Sequence, residues 1–252
     1  MSSTTNVRRL MRPPITEVVV DLRVALPQDS GPVRFEALQD ALRGSFPGHH
    51  IRNTHQVRVE LRPDQSSVLQ ERDPVDVHVF ATADERELVQ ASSEGFTFNR
   101  LAPYTSWEHV RKRAYAAWTE YVRVVAPASV SRMAIRTINR IPIPRPVGDL
   151  RDWFLTSPDV ASTLPFAVRE LLMRVVLVDP ETQIVANVLE ASDVPQPHEP
   201  NAIPFIFDID VYRLGDHRAD GVEVWEWLER IREHKNRIFF ESLTTRAIDL
   251  FK

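Results

Sequence analysis

The residues best suited to do chemistry in this chain are arginines set at strand spacing. Arg132, Arg136 and Arg140 recur every four residues inside the alternating segment RMAIRTINRIPI, residues 132–143. Side chains on a strand alternate between faces, so the three share one face, each about 13 Å from the next at the usual rise. Three like charges on one strand face repel unless an anion balances them. The balance can be internal, from Glu17, Asp21, Asp208 or Asp210. It can also be external, from nucleic acid, a phosphate-bearing ligand or an acidic protein surface. Arg52 and Arg58 extend the cationic set. Glu17, Asp21, Glu60, Asp208 and Asp210 are the carboxylates a divalent metal would use if the same face held one. Two Asn-Arg pairs recur, Asn99-Arg100 in FNRL and Asn139-Arg140 in INRI. Their amides are expected to satisfy buried backbone groups at strand ends or unit contacts.

Other chemistry is mostly excluded. The chain has 7 glycines, with no G-x-G-x-x-G and no Gly-Lys, so neither a dinucleotide fingerprint nor a P-loop is present. G-x-S-x-G and H-E-x-x-H are missing as well. His49, His50 and His55 form the one histidine cluster, and no metal site is expected there. In His234-Lys235-Asn236-Arg237 the histidine and Asn236 are two apart and face different ways on a helix, so they make no catalytic pair. With no cysteine there is no disulfide and no thiol chemistry. No catalytic residue and no cofactor is expected.

The elements that must position these side chains follow from periodicity. Residues 15–26 alternate as a strand, with Val18, Val20, Leu22 and Val24 on one face. Phe35, Leu38, Ala41, Leu42 and Phe46 make a short amphipathic helix. Residues 50–62 read as one strand and 63–74 as a polar hairpin loop. Val75, Val77 and Val79 face inward, leaving Asp76 and His78 outward. Strands at 87–91 and 95–101 follow, with Gly95 at the turn. Thr105-Ser106-Trp107-Glu108 reads as a capping box opening a helix with Trp107, Val110, Ala114, Trp118, Tyr121 and Val125 on one stripe. The second half repeats the order: strand 132–143, short helix 150–155, hairpin 168–178 with 183–189, strand 205–214 and helix 222–243.

Each half therefore reads β-α-β(3-4)-α. Phe96-Thr97-Phe98-Asn99 and Phe205-Ile206-Phe207-Asp208 fill equivalent slots, and Trp107 and Trp225 open equivalent helices. The expectation is an α+β protein of two duplicated units. They would build a long antiparallel sheet with helices on one face and an open polar face. The expected division is a flexible tail over 1–13 and units over 14–127 and 128–252, packed as one body.

Five segments in fixed order carry a resemblance over nearly the whole chain: PPITEVVVDLR (13–23), GFTFNRLAPYTSW (95–107), RTINRIPIP (136–144), FDID (207–210) and HKNRIFFESLT (234–244). The chain resembles a sporadically distributed bacterial family of about this length with no assigned activity. The resemblance implies one full-length unit and supplies no catalytic residues. Sporadic distribution is typical of mobile accessory genes, which implies an antitoxin, immunity or phage-defence role.

The 252 residues carry 31 basic and 35 acidic side chains, a formal net charge of −4, which argues against a surface given over to nucleic acid. No apolar run is long enough to span a bilayer and the first residues lack a secretory core, so a cytoplasmic protein with no membrane contact is expected. The leading expectation is a non-enzymatic module that binds a protein partner. The alternatives are a phosphate- or nucleotide-ligand enzyme or sensor using the arginine-lined face, and a nucleic-acid binder. Candidate binding residues are Arg52, Arg58, Arg132, Arg136, Arg140, Asn99, Arg100 and Asn139. Oligomeric state stays open.

Overall fold

A computed structural model describes residues 10–28, 35–54, 57–62, 65–71, 75–158, 161, 163, 168–197 and 199–252, and the side chains of 53–75 lie outside that description. In chain order the elements are β1 (Ile15–Ala25), α1 (Phe35–Leu42), β2 (Gly48–Thr54), β3 (Val57–Arg62), β4 (Gln65–Glu71), β5 (Val75–Ala81), β6 (Glu87–Ser92), β7 (Gly95–Leu101), α2 (Trp107–Val125), β8 (Ser129–Pro144), a 3-10 turn (Leu150–Asp152), β9 (Leu172–Val178), β10 (Val185–Ser192), β11 (Ala202–His217), α3 (Glu223–Ser242) and α4 (Thr245–Asp249). The protein is α+β: one nine-stranded antiparallel sheet and four helices.

The strand order is β2-β5-β6-β7-β1-β8-β11-β10-β9. Four strands lie beyond β1 on one side of the β1–β8 pair and three beyond β8 on the other. β7, with Phe96-Thr97-Phe98, pairs with β1, and β11, with Phe205-Ile206-Phe207, pairs with β8. Register runs one apolar row across the sheet: Phe80, Val89, Phe98, Val20, Ile135, Val211 and Ala186 are successive partners. All are buried and join the inward stripes of α1, α2 and α3 in a single core. Each large apolar side chain so enclosed stabilises the fold by about 1.5–3 kcal/mol. Gly95 lets β7 start hard against β1, because a Cβ there would meet the Leu22 carbonyl oxygen at 2.8 Å.

Several local expectations change. The strand expected over 50–62 is broken: β2 ends at Thr54, and β3 pairs with β4 in a separate two-stranded sheet. Arg58 and Glu60 are therefore on β3, not on the main sheet. On β5 the parity is inverted. Phe80 pairs with the core residue Val89, which turns His78 to the helix side, where its ring stacks on Phe35 at 4.4 Å. The residues expected as a helix over 150–155 give only the 3-10 turn, since so short a segment cannot offset helix nucleation. The helix α2 is capped by Ser106, not Thr105: the Ser106 hydroxyl accepts from the His109 backbone N–H at 3.1 Å. Leu10 to Pro13, expected as tail, are held down, with the Arg12 N–H donating to the Phe251 carbonyl at 3.1 Å. No helix among the described residues is long and apolar enough to cross a membrane.

Candidate functional site

On the face away from the helices, the arginine stripe is balanced from within. Arg132 donates to Asp21 at 2.5 Å and to Asp210 at 3.0 Å, and its guanidinium lies 4.5 Å from the Tyr212 ring centre. Arg136 grips Asp208 through two nitrogens, one of them Nε at 2.8 Å. Arg140 donates to Asp193 at 2.9 Å and to Glu199. Register dictates this: Asp210 faces Arg136 and Asp208 faces Ile138 on the adjoining strand, so acids of β11 interleave with arginines of β8. Three arginines thus meet five carboxylates. Asn99 sits on the same face, donating to Glu17 at 2.6 Å and accepting from Gln90 at 3.0 Å. Arg52 donates to Gln90 at 2.6 Å. The side chain of Arg58 is outside the described residues.

The other two candidates turn the opposite way. Arg100 is buried beside Glu87, 3.4 Å away; Glu87 also accepts from Arg113 and His109, each at 2.6 Å. Burial raises the Glu87 pKa, but hydrogen bonds from His109 and Arg113 outweigh it and hold the carboxyl below its ordinary value. That cluster fastens the first turns of α2 to β6 and β7. Asn139, also buried, donates to the Phe207 carbonyl at 2.9 Å, the backbone role expected of it.

Asn139 leads to the site the sequence reading did not name. Between α2, α3 and the inward face of β1 and β8 lies a cavity of about 560 Å³, within the range of small-molecule sites. Its floor is Val18, Ile135, Thr137 and Asn139; residues 10–15 close one side and Ser106 and Trp107 another. The wall from α3 is Arg232, Lys235, Asn236, Phe239 and Phe240. These stand at i, i+3, i+4, i+7 and i+8, which is one helix face. His234 looks elsewhere, bonded to Asp179 at 2.8 Å.

Two cations, Arg232 and Lys235, and one carboxylate, Glu108, line the cavity. Lys235 has no hydrogen bond or ion pair among the described residues. Desolvation, with like charge from Arg232 behind it, lowers its pKa to about 8. Arg232 lies over the Trp107 ring at 5.6 Å and reaches Glu229 at 3.4 Å. Glu229 also accepts from the Trp107 indole at 2.9 Å and meets Arg111 at 3.0 Å, tying α2 to α3. Thr137 is 2% exposed and its hydroxyl has no partner among the described residues, a state that costs about 1–3 kcal/mol for a buried hydroxyl. The α2 N-terminus adds its partial positive charge.

Two sequence signals could have found this place. Leu228, Ile231, Lys235 and Phe239 form one α3 stripe in which the lysine is the only charge, and Thr137 and Asn139 interrupt an otherwise apolar inward row in β8. No family model matches the chain, and neither a search of curated proteins nor one of solved structures returned a match. Among the described residues no three acidic or histidine side chains converge as a metal site.

Proposed function

We propose that the protein is a non-enzymatic binding module whose recognition site is the cavity between α2, α3 and the inward face of β1 and β8. One observation supports this above others: Lys235 lines a cavity of about 560 Å³ and makes no ion pair among the described residues. The cavity's polar lining consists chiefly of donors and cations fixed on regular elements, which suits holding a ligand. A cytoplasmic location belongs to the same proposal. So does descent of the halves from one duplicated unit, supported by β7 flanking β1 and β11 flanking β8. The test is native mass spectrometry of the full chain, freshly purified from its host. The expected result is a mass excess of a few hundred daltons that denaturation releases. Equal native and denatured masses, with no thermal shift on adding back small-molecule host extract, would overturn the proposal.

A protein partner is the second reading, and one observation favours it. β9 is an edge strand with Leu172, Val176 and Val178 at 76%, 52% and 57% exposure. An apolar edge of this kind can accept another chain's strand, as an antitoxin or immunity component would use it. V176K should then abolish co-purification of that partner. Nucleic acid has less support, because five carboxylates accompany the arginines on the open face and would repel phosphates.

A further inference from the structure

We infer that the cavity takes a small amphipathic anion, a molecule with one carboxylate or phosphate head and a flat apolar body, and that Lys235 is the charge partner of that head. The inference rests on the cavity being the recognition site. It starts from the charge count around α3. Of the cations near the cavity, Arg111 and Arg232 meet the carboxylate of Glu229, which also accepts from the Trp107 indole, while the acidic Glu108 lines the cavity at the start of α2. Lys235 is left over. Its lowered pKa has the same origin, since an ammonium held among protein walls and beside a guanidinium gains when an anion enters. Arg232 is positioned by Trp107 and Glu229 rather than used up by them, because a guanidinium has five donors.

The body of the ligand follows from the remaining walls. Trp107, Phe239 and Phe240 present aromatic surface, and Val18 and Ile135 present aliphatic surface. Such walls fit a planar apolar group, with polar contacts confined to one end. The Thr137 hydroxyl, buried at the floor and without a partner among the described residues, is a reserve donor that a small side-chain rotation could offer to the head. Carboxylate and phosphate oxygens both accept charge-assisted hydrogen bonds from Lys and Arg, so the head is defined by its charge, and experiment separates the two.

The test is isothermal titration calorimetry on the full chain with three probes of one shape: 2-naphthoate, 2-naphthyl phosphate and 2-naphthalenemethanol. Both anions, or one of them, should bind at least tenfold tighter than the alcohol, and the stronger identifies the head. K235M should weaken the anions tenfold or more and leave the alcohol unchanged, while K235R restores the anions. If K235M does not fold, the salt dependence of the wild-type affinity decides instead, since an ion pair must weaken as sodium chloride rises. Equal binding of alcohol and anions, or anion binding indifferent to both K235M and salt, overturns the anion inference and leaves the cavity module standing. No binding of any of the three overturns both.

Discussion

Glu190 shows how much one side chain can set the behaviour of this protein. It lies on the inward face of β10 between Phe207 and Met173, 1% exposed, and neither carboxyl oxygen has a partner among the described residues. Desolvation pushes its pKa up to about 8. The folded chain therefore keeps it protonated at neutral pH, whereas the unfolded chain ionises it above its ordinary value of 4.5. Between those two values the unfolded state binds fewer protons, so stability falls as pH rises, by up to about 1.4 kcal/mol per pH unit. Below 4.5 both states hold the proton, and above 8 neither does, so the slope vanishes outside the window. E190Q keeps the shape and cannot ionise. Urea midpoints at pH 5, 6.5 and 8.5 should decline for the wild type and stay nearly level for E190Q, apart from groups common to both. Parallel declines would show that another group sets the slope. The sequence could not reveal this residue: in VANVLEAS one face is Ala186, Val188 and Glu190 and the other Val185, Asn187 and Leu189, so neither face is plainly the polar one. The arginines were easier, since four-residue spacing in a strand leaves no choice of face, though the interleaved acids became visible only with the β8–β11 register.

Among the elements, the start of α2 matters most because its first turn both caps the helix and walls the cavity. Ser106 accepts from the His109 N–H, while the side chain of Thr105 takes no hydrogen bond among the described residues. S106A should cost about 1 kcal/mol, a drop in melting temperature of about 2–4 °C for a chain of this size. T105A should change it little. A thermal melt of the two variants checks this, and a larger loss for T105A would return the cap to Thr105. The helices α2 and α3 were legible because a 3.6-residue apolar stripe sustained over five turns has no rival pattern. The short strands were less so. In β5 alternating valines matched the outward face, and the larger burial of Phe80 decided the register. β4, QSSVLQE, has no clean alternation and gained its strand only by pairing with β3. α4 is five residues long, too short for periodicity to register, and follows directly on the Thr244 cap.

At the scale of the whole molecule, the seam between the first and second halves of the chain is the middle of the sheet, which predicts that they unfold as one cooperative body. β1 is sandwiched between β7 and β8, and β8 between β1 and β11, so neither half has a closed sheet without the other. Further links cross the seam. The Trp118 indole donates to the Ala219 carbonyl at 3.2 Å, Glu229 of α3 holds Trp107 of α2, and the Arg140 N–H donates to the Pro14 carbonyl at 2.9 Å. Local patterning suggested a long sheet from two similar units, but the adjacency of β1 and β8 is a pairing of distant segments that no window of sequence contains. Cutting the chain in the short connection at residues 126–128 tests the consequence. Each half alone would expose the central edge of a buried strand and the inward stripe of a helix, at a cost greater than an isolated unit can offset. Separately expressed halves should lack a cooperative thermal transition. Co-expressed, they should assemble one-to-one, melt in a single transition and regain 2-naphthoate binding, since floor and walls come from both. Halves that each melt cooperatively alone would mean that the seam joins two domains, and the cavity between them would then open and close with their relative motion.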